Sequence, residues 1–336
     1  MGHGLLAQVI QQRAKHTAAA LFLVTLLAAG CGTASVAITV TRPAEINLKD
    51  YRKIAIGDII GQDERKGKHA KDLSDELTSA LVASNQFEVL NRKNLARIMT
   101  EHDLSETGII DESTAPELGK LIGTAALIFG RIQTDQYEED LSTGASYKDK
   151  KGKVHQTHTR IGTYRVTANL QIIDIQTAKV LAARTLTANR SARKTADLKD
   201  PGRIDRDALF RSCIKNISGQ FMRMVAPYEV QVRAAFLTDD LLPETDQAIA
   251  FFRIGEWEDG ITLLRDAVGK LGLDSEVQSK VYYNLGLAEI YTQEFDSALK
   301  HLKTALSLNP KSRRIQKTIV RAKDEKENAE KLKEQI

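Results

Sequence analysis

Apolar positions in the first two-thirds of the chain switch repeatedly between a period of two and a period near four. Arg52 to Ile60 alternates, with Ile54, Ile56 and Asp58 two apart, and predicts a strand. From Ala70 to Ser84 the period lengthens. Leu73, Leu77 and Leu81 recur every four residues and mark one face of an amphipathic helix. Phe87–Leu90 reads as a strand, and Asn94–His102 as a helix with Leu95, Ile98 and Met99 on one side. Ser113 or Thr114 caps a short helix that passes through Pro116 and Glu117 to Ile122. Ala125–Phe129 is a continuous apolar run ended by Gly130, the pattern of a central strand covered on both faces.

A polar stretch follows, Gln133 to Thr159, and reads as a solvated hairpin. Alternation then returns: Tyr164, Val166, Ala168, Leu170 and Ile172 share one face of a strand over Gly162–Asp174. A turn at Gln176–Thr177 leads to a strand over Val180–Leu186. Arg206–Val225 is a helix with Leu209, Cys213, Ile217, Phe221 and Met224 on one stripe. Tyr228, Val230, Val232, Ala234 and Phe236 form a last alternating strand after Pro227. Together these elements predict a mixed α/β sheet domain with flanking helices over 51–237, preceded by a short strand or tether within 31–50.

The final third carries helical periodicity and an internal repeat. Tyr282, Leu285, Gly286, Ala298, Leu302, Ala305 and Pro310 have the spacing of a tetratricopeptide repeat. Gly286 and Ala298 allow two antiparallel helices to approach closely, and Pro310 ends the second. Ala248, Phe251, Gly260, Leu264 and Ala267 repeat that register, with Trp257 and Phe295 at matching places. An all-α module of two repeats is expected over 241–322, with a charged helix or tail over 323–336. In such a module the first helix of each repeat lines a groove, so Tyr282, Asn284 and Glu289 are the expected partner contacts. Leu285, Gly286, Ala298, Ala305 and Pro310 are the expected packing positions.

Composition narrows the function. The formal charge is +4, and the first 30 residues supply Arg13 and Lys15 without an acid, leaving about +2 on the rest. That balance, with no aromatics interleaved among basic clusters, argues against nucleic acid. No nucleophile elbow, phosphate loop or dinucleotide fingerprint is present. His155 and His158 point to opposite faces of a strand and do not make a metal site. Cys213 sits at helical spacing among apolar residues, as a small buried side chain. No catalytic residue, metal or cofactor is expected, and the chain is expected not to be an enzyme.

The amino terminus is ordered as a secretory leader: Arg13 and Lys15, an apolar run from Ala18 to Leu27, then Ala28-Ala29-Gly30-Cys31. The run is too short to span a bilayer as a helix. The small residues before Cys31 resemble the lipobox of bacterial lipoproteins. That resemblance implies removal of residues 1–30, lipidation of Cys31, and a periplasmic protein held by its lipid. Gly32, where aspartate is absent, implies delivery to the outer membrane.

Phe87-Glu-Val-Leu-Asn-Arg92, followed by Leu95, Ile98, Glu101 and Leu104, resembles the strand, arginine and helix unit of the CsgG family. Glu117–Gly130 is similar to that family's helix, glycine and strand. Asp174–Leu181 resembles its hairpin, with Ala178 in place of the usual turn glycine. The resemblance implies a scaffold or transport lipoprotein acting through protein contacts, with two alternatives: an oligomeric secretion pore of the curli type, and an activator of a cell-wall synthase. A pore would insert hairpins from each subunit. Within Arg131–Tyr147 and Thr185–Arg203, however, charged residues interrupt both faces, and each lipid-facing Arg or Lys near the midplane costs about 2–4 kcal/mol. The expectation is therefore a retained fold without membrane insertion, a possible homo-oligomer, and a protein partner at the repeats.

Overall fold

The computed structural model describes residues 32–63, 67–91, 119–120, 123–270 and 272–336. Cys31 and the expected helix Asn94–His102 lie outside the described residues. Of the expected helix running to Ile122, only Gly119 and Lys120 are described. The described chain forms two compact units. One comprises residues up to Arg42 with Glu229–Glu330, and the other Pro43–Tyr228 with Lys331–Ile336.

The second unit is the α/β unit. Its strands are β2 (Lys53–Ile60), β3 (Glu88–Val89), β4 (Ala125–Thr143), β7 (Thr157–Asp174) and β8 (Val180–Asp197). They hydrogen-bond in the order β3-β2-β4-β7-β8. β2 is parallel to both its neighbours, and β7 is antiparallel to β4 and β8. A small ribbon, β5 (Tyr147–Lys148) with β6 (Val154–His155), decorates the β4–β7 connection. The helices α1 (Lys68–Ser84) and α2 (Arg206–Val225) belong to one core with the sheet. Leu73, Leu77 and Leu81 of α1 are fully buried, as their spacing predicts, and so are the alternating Tyr164 to Ile172 of β7. Leu127 and Ile128 point to opposite faces and both are 0% exposed, so the root of β4 is covered on both sides.

Two strands run further than their hydrophobicity suggests. β4 does not end near Gly130 but continues through Thr143, with a register shift between Ile132 and Thr134. β8 continues past Leu186 to Asp197. The pairing is made by main-chain groups, which are indifferent to the polarity of the side chains. The result is a three-stranded tongue, in which Thr134–Thr143 of β4 and Thr187–Asp197 of β8 flank β7. The expected hairpin and the expected second-hairpin site are parts of this one sheet. The turn between β7 and β8 holds Ala178 at φ 54°, the left-handed region that suits the glycine it replaces.

The other unit is mostly helical. α3 (Pro243–Ile254), α4 (Trp257–Val268), α5 (Ser275–Tyr291) and α6 (Phe295–Leu308) form two helix pairs, followed by the long α7 (Arg313–Gln335). Trp257 and Phe295 each open the second helix of a pair. β1 (Gly32–Arg42) and β9 (Tyr228–Thr238) make a two-stranded ribbon. Neither joins the five-stranded sheet. Val36, Ala234 and Phe236 are instead buried in the core of the helical unit, where Phe236 stacks on Phe252 and Phe252 on Trp257. Alternation identifies a strand but not its partner, which is why β9 reads in sequence as a continuation of the α/β domain.

Candidate functional site

Two regions gather the polar side chains: the helix α5 with its neighbours, and the tongue. α5 is buried nearly all round, and the positions expected to line a groove are mostly inside. Asn284 is 0% exposed. Its Oδ1 accepts from the Leu237 N–H at 2.8 Å, and its Nδ2 donates to the Leu237 carbonyl at 2.7 Å. The Tyr283 hydroxyl donates to the Ala235 carbonyl at 3.1 Å, and Lys280 Nζ lies 2.8 Å from Asp239 Oδ2. Alternate residues of β9 and its exit, 235, 237 and 239, thus meet one face of α5. Between 237 and 239 the strand advances about 6.6 Å, and between Asn284 and Lys280 the helix advances about 6 Å, so these two contacts stay in step, while Tyr283 reaches Ala235 with its longer side chain. α5 reads the open backbone edge of the chain's own strand.

Glu289 is likewise 0% exposed and pairs with His301 Nδ1 at 2.7 Å. Its other oxygen makes no hydrogen bond, although Arg265 stands 3.8 Å away. Burial pushes the carboxyl above its ordinary value, and His301 offsets part of that effect. Tyr282 is half-buried against the His301 ring. Of the three expected partner contacts, only Tyr282 retains an exposed surface. Among the packing positions, a Cβ on Gly286 would lie 2.7 Å from Leu302 and 3.0 Å from the Ala298 carbonyl. Leu285, Ala298 and Ala305 are buried, and the Ser279 hydroxyl donates to the Ala305 carbonyl at 2.8 Å. Pro310 stands in the turn after α6.

The tongue is pinned at its root by a polar knot that sequence reading missed. Asp135 accepts from Tyr164 at 2.6 Å and pairs with His69 at 2.5 Å, while His69 stacks on Phe210. Burial, then the bond to Asp135, pushes the Tyr164 phenol up. Further out, Arg160 binds Glu139 and Asp200, and Ile204 folds back over Gly162. Tyr137 donates to Glu139; burial first and that bond second push its phenol up to about 12. At the tip His155 sits between Asp197 (2.6 Å) and Asp149 (3.4 Å), with Tyr147 stacked on the ring. His158 is bound separately by Thr143. Cys213 is buried, and its thiol donates to the Tyr164 carbonyl. Among the described residues no cluster of three or more His, Cys, Asp or Glu could hold a metal ion. Nor is any described helix long and apolar enough to cross a membrane.

The architecture, a mixed sheet with flanking helices followed by a helical-repeat module, has counterparts among known families. The family model described as curli production assembly/transport component CsgG matches residues 27–198, just over half of the 336, and the chain belongs to that family. A tetratricopeptide repeat model matches residues 279–312. No curated protein matches. Among solved structures, the PelC dodecamer from Paraburkholderia phytofirmans is 12% identical at a TM-score of 0.29, covering 56% of this chain and 98% of that one. A minor lipoprotein from Acinetobacter baumannii is 18% identical at 0.25, covering 52% and 91%. The LpoB C-terminal domain from Escherichia coli is 12% identical at 0.28, covering 41% and 82%.

Proposed function

We propose that this protein is a non-catalytic envelope lipoprotein, anchored through Cys31 in the periplasm at the outer membrane, that serves as a scaffold or transport component through protein contacts. Family membership supplies the class. The observation that carries the choice of scaffold over pore is the tongue. Thr134–Thr143 is about ten residues, or roughly 33 Å of strand, long enough to cross an apolar band of about 25 Å. Its chemistry is wrong for that task. One face presents Gln136, Glu138, Asp140, Arg165, Asn189 and Arg193; the other presents Glu139, Arg160, Arg190 and Lys194 among Tyr137 and Leu141. A lipid-facing barrel strand needs one continuous apolar face.

The tongue suits contact between copies in water. β2 accompanies β4 no further than Arg131, so the distal part of β4 and the whole of β8 are the two outer strands. Thr134–Thr143 carries Asp135, Glu138, Glu139 and Asp140 and no base, while Thr185–Asp197 carries Arg190, Arg193 and Lys194 against Asp197. An acidic edge and a basic edge on one subunit favour head-to-tail association, which closes into a ring when the rotation permits.

The test is paired. Cys31→Ser should let a high-salt wash move the protein from the membrane to the soluble fraction, and the native lipoprotein should give no conductance in planar bilayers. Pores, or a Cys31→Ser protein that still fractionates as integral, would overturn the scaffold reading.

A further inference from the structure

We propose that the helical unit ends in a cationic surface that docks on anionic phospholipid headgroups, at the end of the unit from which the lipid anchor emerges. The placement beside the anchor rests on the lipoprotein reading above. The charge and its position do not.

From Ser297 to Lys323 the chain carries eight Lys and Arg and no Asp or Glu. Lys300, Lys303, Lys311, Arg313, Arg314 and Lys317 are all exposed. This stretch covers nearly all of α6, the turn after it, and the first turns of α7. The modest overall charge of the chain conceals it.

Contacts within the helical unit place this stretch. Gly32 packs on Thr238, since a Cβ there would lie 2.5 Å from the Thr238 hydroxyl. The next residue, Asp239, pairs with Lys280 in the first turns of α5. Beside it Ser279 bonds Ala305, in the last turn of α6. Arg314, at the start of α7, acts electrostatically on Tyr283, whose hydroxyl is bound to Ala235 of β9. The start of β1, the end of β9, the start of α5, the end of α6 and the start of α7 therefore share one end. Gly32 directly follows Cys31, and β1 begins at Gly32, so no tether separates a lipid on Cys31 from this end.

Some of the acids here are engaged. Asp239 and Glu276 face Lys280, and Asp274 caps α5 by accepting from the Val277 N–H. Asp240, Asp246 in the first turn of α3 and Asp266 in the last turn of α4 are exposed. On α7, Arg313, Lys317 and Val320 fall on one face by helical spacing, and Val320 is 59% exposed. Basic side chains around an apolar one fit a headgroup layer with its acyl boundary beneath. A basic patch is also the kind of second signal that strengthens attachment by acyl chains.

The experiment uses the mature chain, residues 31–336, with Cys31→Ser, so that neither lipid nor leader contributes. Co-sedimentation is measured with vesicles of phosphatidylcholine alone and of phosphatidylcholine with phosphatidylglycerol. The protein should bind only the anionic vesicles, and less as salt rises. Each basic residue at such a surface is worth about five-fold in affinity, so Lys311→Gln, Arg313→Gln and Lys317→Gln together should weaken binding roughly a hundred-fold. Lys148→Gln, Lys150→Gln and Lys151→Gln on the tongue should leave it unchanged. Failure to bind anionic vesicles, equal binding to neutral ones, insensitivity to the α7 substitutions, or an equal loss from the tongue substitutions each overturns the proposal. A protein partner for the patch would show as the first of these. Fatty-acid labelling of the native chain at Cys31 decides the anchor separately.

Discussion

Replacing Asn284 by Ala removes one of the three side chains that join α5 to β9 and its exit. Its amide is wholly buried and makes two hydrogen bonds to a single residue, Leu237, one to the N–H and one from the carbonyl. Truncation leaves both main-chain groups without partners on that edge. An unmet buried donor or acceptor costs about 1–3 kcal/mol, so the pair costs about 2–6 kcal/mol, with water reaching half-buried Leu237 favouring the lower part. Asn284→Leu separates the two contributions: it fills the space and still leaves Leu237 unmet, so its cost should stay close to that of alanine. Asn284→Asp keeps an acceptor for the N–H but sets a carboxylate against the carbonyl, and should fall no nearer to wild type. The chain has one tryptophan, Trp257, stacked on Phe252 inside the helical unit. Its fluorescence during urea unfolding reads this unit. Hydrogen exchange at the Leu237 amide reads the bond itself and should accelerate in the Ala and Leu variants, and least in Asp, which keeps the acceptor. Losses below about 1 kcal/mol for both Ala and Leu, with Leu237 exchange unchanged, would show that the clasp is incidental and the reasoning wrong.

Three further outcomes are expected. Ala178→Gly should stabilise the α/β unit by about 1 kcal/mol in thermal or urea unfolding, because Ala178 is held at φ 54°; a destabilised variant would mean the turn is not strained by its side chain. Burial raises the Glu289 carboxyl above the ordinary glutamate value of 4.5, so its contribution is fully present below that value and is lost as the pH rises through its elevated folded value. The stability of Glu289→Gln relative to wild type, followed through Trp257, should therefore increase from about pH 4 to pH 7, and a flat or falling difference would contradict the assignment. Arg193→Glu with Lys194→Glu should shift the assembly to smaller species in light scattering at low salt, whereas an unaltered mass would remove the basic edge from the contact between copies.

How far the sequence discloses this structure depends on whether the information is local. Leu73, Leu77 and Leu81, or Tyr164 through Ile172, reveal their buried faces because period and face are properties of one element. Gly286 reveals a close helix crossing because the constraint is the absence of a Cβ. The pairing of β1 with β9 spans most of the chain and leaves no mark in either strand. The length of the tongue is hidden for a different reason: side-chain polarity changes at Gln133 while the main-chain ladder continues. Asn284 and Glu289 were legible in principle. Val281, Tyr283, Leu285, Leu287, Ala288 and Ile290 surround them on nearly every side of α5, and a helix that is apolar all round is a buried one. A polar residue on such a helix has its partner within the fold, here the Leu237 backbone and His301.

The occupied face of α5 changes where a partner can act. The groove side of a repeat helix is available only while nothing fills it, and here β9 meets it through Tyr283, Asn284 and Lys280. Contact with a protein partner then falls to surfaces that β9 leaves open: the exposed sides of α4 and α6, and the long charged α7. Part of that surface is the acid-free stretch from Ser297 to Lys323. A bilayer and a protein partner would compete for those residues. Membrane attachment and partner binding by the helical unit are therefore expected to be opposed, and a partner that captures the cationic end should lower vesicle binding of the Cys31→Ser chain in proportion to its occupancy. Simultaneous, undiminished binding of both would place the partner on α4 or the distal half of α7 instead.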